Sequence, residues 1–225
     1  MIQKPDEETY TWTIPTIFKM YYPKLASIVD CFEIFVERPK PAKSRAEMYS
    51  HYKHHSTIKC LIACSPLGFI SFLSTCWGGR ASDLTIARES VFFSNINQIR
   101  GSCMLADRAF TLQDELAAYS GVKLHIPSFT KGRQQIPAAE VESSRMLAQI
   151  RIHIERVIGH LRNVYTILKG TIPLRMVKSL RNETQDEDMT NIDKIVRACA
   201  ILINLRPSIV SRKYVEIQQF NVNSD

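Results

Sequence analysis

Three carboxylates stand out for where they occur. Asp30 interrupts LASIVDCFEIFV (25–36), a β-branched and aromatic run that stops short of Pro39 and reads as a strand. A carboxylate inside such a strand runs against β propensity and costs several kcal/mol to bury without a partner. That partner is either a metal ion or a structural Arg or Lys, and Asp30 alone does not choose between them. Asp107 closes a second apolar run, SCMLAD (102–107), at the strand end where open α/β sheets place ligands. Its plainer role is to cap a turn or helix. Glu155 lies in RIHIERVIGHLR, flanking an apolar helical stripe, with Arg151 one turn before it and Gly159 one turn after. It can face a sheet edge or pair with Arg151 on the helix surface. If the three converge, their hard oxygens suit two magnesium ions. Such a pair, about 3.5–4 Å apart, activates a water or 3′-hydroxyl for in-line displacement and steadies the leaving oxygen.

The elements that must position these groups follow from periodicity. TIKCLIACSP (57–66) and GFISFLSTCW (68–77) flank a Ser-Pro-Leu-Gly turn and predict an antiparallel hairpin. The glycines of GGR (78–80) break the second strand, and Ser82 or Asp83 caps a helix running to about Ser90. After the 102–107 strand come a helix near 112–119, closed by Gly121, and a short strand, VKLHIP (122–127). Leu147, Ile150, Ile154, Val157 and Leu161 recur at three- and four-residue steps within a long helical pattern over 138–168. A last helix is expected over 191–204. The basic, proline-bearing stretch RPKPAKSRAEMYSHYKHH (38–55) reads as a loop or a partly ordered excursion, and the segment SFTKGRQQIP (128–137) as a basic loop. Antiparallel strands first and alternating strands and helices afterwards imply an α/β fold, a mixed sheet with helices packed on it. The ribonuclease H-like fold is one arrangement with this order.

The 225 residues suffice for one large core, with 1–21 as a lead-in segment, 22–210 as the domain and 211–225 as a polar tail. A net charge of +7 suits a polyanionic partner without specifying one. No run of about 18 apolar residues occurs, so no membrane partner is expected. Six cysteines without a regular framework point to reduced thiols. His51, His54, His55, Cys60 and Cys64 could suggest zinc, but Ile58, Cys60, Ile62 and Cys64 share one strand parity, the pattern of a core face.

The segments IVDCFEIFVERP, YSHYKHHSTIKCLIACSPLGFISFLSTCWGGRASD, MLADRAF, KLHIPSFTKGRQQI, RIHIERVIGHLRN and VRACAILINLRPSIV, in this order, closely resemble the DDE superfamily endonuclease domain of PIF/Harbinger-like transposases. The resemblance spans about Tyr22 to Val210. It implies a ribonuclease H-like fold and a DNA endonuclease that cuts phosphodiesters by a two-metal mechanism. Asp30 of VDCFEIF, Asp107 of LADRAF and Glu155 of RIHIER are the implied catalytic and metal-binding triad, with Mg²⁺ the expected ion and Mn²⁺ a substitute. Asp83 of GGRASD matches a recurrent acidic position of that family, and capping of the following helix is the simpler role. Ala109 stands where the family usually has Gly after ADR, which predicts an altered loop beside Asp107.

The family substrate implies DNA as partner and the nucleus as location. Lys53, His54, Lys131, Arg133 and Arg151 are candidate DNA contacts, and Arg145, Arg156 and Arg162 extend that basic series. Related proteins carry an N-terminal DNA-binding module that is not visible in this sequence, so a separate DNA-binding partner is expected, and a homodimer is compatible. The competing reading is a domesticated or truncated transposase-derived protein that keeps the fold as a non-catalytic nucleic-acid- or protein-binding module.

Overall fold

A computed structural model of the chain describes residues 16–92, 101–126, 152–177 and 189–207. The chain enters through a short helix, α1 (Thr16–Tyr21), and then forms the long central strand β1 (Leu25–Phe35). Helix α2 (Ala42–Met48) and strand β2 (Tyr49–Ser50) lead into β3 (His55–Cys64), β4 (Ile70–Leu73) and β5 (Trp77–Gly78). Helix α3 (Asp83–Glu89), strand β6 (Cys103–Leu105), helix α4 (Gln113–Ser120) and strand β7 (Lys123–His125) follow. Helix α5 covers 152–164, and a 3₁₀ turn (Thr166–Leu168) and the single turn α6 (Leu174–Val177) lead towards α7 (Asn191–Asn204).

Among the described residues the sheet runs β2-β3-β1-β6-β7, with β4 and β5 also pairing with β3. β3 is antiparallel to β1, whereas β6 is parallel to β1 and β7 parallel to β6. This curled mixed sheet flanked by helices is compatible with the ribonuclease H-like fold expected from the sequence.

Strand alternation divides the core into two layers. Ile28, Phe32, Ile34, Cys60, Ile62 and Cys64 face one way and pack with Ile154, Val157 and Leu161 of α5 and Val196 and Ala200 of α7. Val29, Leu61, Ala63 and Met104 face the other way, with Ile86, Ala87, Phe110 and Leu116. Each such fully buried aliphatic side chain stabilises the fold by about 1.5–3 kcal/mol. The predicted core parity of Ile58, Cys60, Ile62 and Cys64 is therefore realised, and so is the apolar stripe of α5 over its described turns.

The segment 38–55 is the partly ordered one of its two expected forms and contains α2 and β2. Prolines 39 and 41 precede the helix and leave its interior free of breakers, with Pro41 at the N-cap. The second hairpin strand is also split. Ser74 pairs with Leu61 through its backbone N–H, Trp77 opposes Lys59, and the one extra residue between them forms a bulge opposite Cys60. The glycines that follow are there for close approach. A Cβ on Gly78 would lie 2.5 Å from the Glu47 carbonyl oxygen, and one on Gly79 would lie 2.0 Å from Thr57 Oγ1. The long predicted helix ends at residue 164, and the 3₁₀ turn takes over where it was expected to continue to 168. Its predicted start at 138 and the loop 128–137 lie outside the described residues.

Candidate active site

β1 and β6 are adjacent and parallel, so their carboxyl ends point the same way. Their last paired residues are Ile28 and Leu105. Asp30 and Asp107 each stand two residues further on, and thus occupy equivalent positions of neighbouring strands. Both also make the same local contact. The Cys31 N–H donates to Asp30 Oδ1 at 2.8 Å, and the Arg108 N–H donates to Asp107 Oδ1 at 2.5 Å. A backbone N–H held against a carboxylate oxygen fixes the orientation of the side chain. Both aspartates are half-buried, neither sealed in the core nor fully in water.

Their settings differ. Asp30 remains within β1, opposite Ile62 of β3. It shares strand parity with Ile28 and Phe32, the face covered by α5. Consistently, burial and then the Asp30 charge push the Cys64 thiol far above its ordinary range. Asp107 stands where the chain leaves the sheet, just after the Ala106 N–H bonds the His125 carbonyl. The Phe110 N–H then bonds the Asp107 carbonyl at 3.0 Å and closes a turn. Ala109 sits in this turn without a left-handed backbone, since His54 is the only non-glycine with positive φ among the described residues. Ala109 thus takes a backbone conformation that any L-residue adopts.

Helix α5 presents Glu155. In its first described turn His153 packs edge-on against Phe18, with ring centroids 5.2 Å apart, and meets the Ser65 backbone just beyond Cys64. Two turns further on, Arg162 donates to the Glu33 carbonyl and lies over the Phe32 ring at 5.7 Å. α5 thus runs in the direction of β1, from the level of Ile28, which pairs with Cys64, towards Glu33. Glu155 lies two residues past His153, about 3 Å along the helix axis. Its side chain is exposed while Ile154, Val157 and Ile158 are buried, which puts it at the rim of the helix–sheet contact. Arg151, its alternative partner, lies outside the described residues. Among the described residues no three His, Cys, Asp or Glu side chains are gathered tightly enough to cage an ion. The two aspartates share a register, and with Glu155 they do not close into a ligand shell.

Asp83 belongs to the other side of β1. Its carboxylate is 3.0 Å from Lys59 Nζ, and Lys59 also donates to the Ala81 carbonyl at 3.0 Å and lies 3.9 Å from Glu33. Thr57 Oγ1 donates to Glu33 Oε2 at 2.6 Å. Burial, followed by the Asp83 charge, drives the neighbouring Cys31 thiol far upward. The predicted capping of α3 by Asp83 is corrected: Ser82 is the N-cap and accepts from the Thr85 N–H at 3.0 Å, while Asp83 occupies the first helical position. This Glu33–Lys59–Asp83 network had no signal in the sequence beyond the matching parity of Glu33 and Cys31.

The candidate DNA contacts divide. Lys53 and His54 are exposed at the turn between β2 and β3. Arg162 is committed to Glu33 and Phe32, and burial lowers its pKa, so it is removed from the phosphate-binding series. Lys131, Arg133, Arg145 and Arg151 lie outside the described residues.

A mixed sheet whose neighbouring parallel strands carry Asp30 and Asp107 at the same offset past Ile28 and Leu105, with a glutamate-bearing helix on one face, is compatible with a ribonuclease H-like domain. The chain belongs to the DDE superfamily endonucleases, whose family model matches residues 29–204. No curated protein and no solved structure matches the chain.

Proposed function

We propose that this chain is the catalytic domain of a PIF/Harbinger-like transposase, a divalent-metal-dependent nuclease with Asp30, Asp107 and Glu155 as its metal ligands. The observation that carries this reading is the equivalence of Asp30 and Asp107: neighbouring parallel strands, the same offset past the last pair, and the same N–H contact to the carboxylate. The donor set is all carboxylate oxygen, which fits Mg²⁺ or Mn²⁺ and not a thiolate-seeking ion. When bound, such ions supply Lewis-acid stabilisation of both the attacking and leaving oxygens of a phosphodiester. The chain's own part is to hold the two aspartates on a rigid strand pair, with Glu155 at the rim of the helix–sheet contact.

DNA is the substrate that the family and the net charge of +7 support. Lys131, Arg133 and Arg151 remain proposed phosphate contacts, and action on chromosomal DNA would place the protein in the nucleus. A separate DNA-binding protein and self-association remain part of this proposal. Mn²⁺ binding followed by electron paramagnetic resonance tests it. Asp30→Asn and Asp107→Asn should each weaken binding at least about tenfold with circular dichroism unchanged, the effect of losing one charged ligand worth over 1.4 kcal/mol. Wild-type affinity in both variants would overturn the assignment.

A further inference from the structure

The β2–β3 turn has features that core packing does not account for. Tyr52 is 80% exposed at its tip, and Lys53 Nζ lies 4.6 Å over its ring. Around it the rings are set by edge contacts: Tyr49 against His51 at 5.4 Å and Phe35 against His55 at 5.2 Å. The Lys53 N–H donates to Ser50 Oγ, and His54 holds a left-handed backbone at φ 52°. A non-glycine in that region is uncommon and concentrates at functional turns.

The charge around this tip is one-sided. Between Arg38 and His55 there are five Lys or Arg residues against one acid, Glu47, and no Asp or Glu occurs from Met48 to Ser82. Lys40, Lys43, Lys53 and Arg80 are exposed, and the Arg80 N–H bonds the Glu47 carbonyl, which brings Arg80 beside α2. β1 and β3 carry the tip past the aspartates, since pairing continues from Asp30↔Ile62 to Phe35↔Thr57. At 3.3–3.4 Å per residue the tip stands roughly 20 Å beyond Asp30. That is on the order of six nucleotides of a strand.

We infer that the α2–β2–β3 arm binds unpaired DNA flanking the reacting phosphate, with Tyr52 stacking on a base and Lys53 and Lys43 holding the adjacent backbone. An aromatic face beside an ammonium, on a basic projection with Glu47 as its one acid among the described residues, is the arrangement that sequence-tolerant single-strand binding uses. The inference rests on the nuclease reading for its substrate, but the arm is remote from the carboxylates and its binding can be measured without chemistry.

The test is fluorescence anisotropy of a labelled oligothymidine with the full chain, at low salt and in EDTA. Tyr52→Ala should weaken binding about 5- to 100-fold, the span of one lost base stack, and Tyr52→Phe should bind as wild type does. Lys53→Ala should reduce the salt dependence by about one phosphate contact. Asp107→Ala should bind normally, so loss of cleavage and loss of arm binding are told apart. The tip is exposed, so unchanged thermal melting of Tyr52→Ala checks that the fold is kept. No binding by the wild type, or equal binding by Tyr52→Ala, overturns the inference whether or not the protein cuts DNA. Loss on Lys53→Ala alone, with Tyr52→Ala unaffected, overturns it in favour of backbone contact to a duplex.

Discussion

Lys59→Met should destabilise the protein by about 3 kcal/mol, because it removes the cation held between Glu33 and Asp83 while preserving the stem. Lys59 Nζ lies 3.0 Å from Asp83 and 3.9 Å from Glu33, with side-chain exposures of 14% for Lys59, 9% for Glu33 and 23% for Asp83. Removing one member of a buried pair typically costs about 3–5 kcal/mol, and the residual exposure of Asp83 places this case at the lower end. For a domain of this size the midpoint of thermal unfolding should fall roughly 6–12 °C. Urea denaturation monitored by circular dichroism measures the loss, with the m-value expected to stay constant. Adding Glu33→Gln to Lys59→Met should recover part of the stability, because it removes the carboxylate left most buried. A loss below about 1 kcal/mol, or strictly additive effects in the double variant, would refute the reasoning and mean that the network is solvated.

Three further outcomes are expected. Burial lowers the His153 pKa from 6.5 to about 4, so between those values the unfolded chain takes up a proton that the native state refuses; stability is full above pH 6.5, falls as the pH drops through this window, and loses about 3 kcal/mol by its lower end. His153→Gln should flatten that slope in urea titrations at stepped pH, and an unchanged slope would clear His153 of the effect. Gly79→Ala should destabilise by about 1–3 kcal/mol, because its Cβ would displace Thr57 Oγ1 from Glu33, whereas Gly159→Ala in α5 meets nothing within 4 Å and should stabilise by about 0.5–1 kcal/mol; paired melting curves decide both. Asn204→Ala should remove both 2.9 Å bonds to the Ile70 backbone at the edge of β4, at about 1–3 kcal/mol, and amide exchange at Ile70 should accelerate while that at Ile62 holds.

The elements with a strong period were legible from sequence, because alternation and the 3.6-residue repeat are what burial imposes. β1 is found at Leu25–Phe35 and α7 at Asn191–Asn204, the latter fixed by a Thr190–Asp193 capping box. α2 was missed because a seven-residue helix with no buried residue leaves no apolar stripe to detect. The bulge opposite Cys60 was also invisible, since an inserted residue changes parity without changing composition. At the site, the mid-strand Asp30 and strand-end Asp107 were readable as misfits, but their register needed the pairing of Ile28 with Leu105. The partners of Lys59, Asp83 and Arg162 come from distant segments, and no spacing rule along the chain could have joined them.

Nicking of supercoiled plasmid by purified protein with Mg²⁺ or Mn²⁺, run beside Asp107→Ala, tests the central claim most directly. The wild type should nick DNA only with metal present, and the variant should fall by at least about a thousandfold, the effect of several kcal/mol of lost transition-state stabilisation. Nicking that survives Asp107→Ala would contradict the site. A folded wild type that neither nicks DNA nor binds Mn²⁺ would contradict the nuclease itself and favour a binding module built on the same fold.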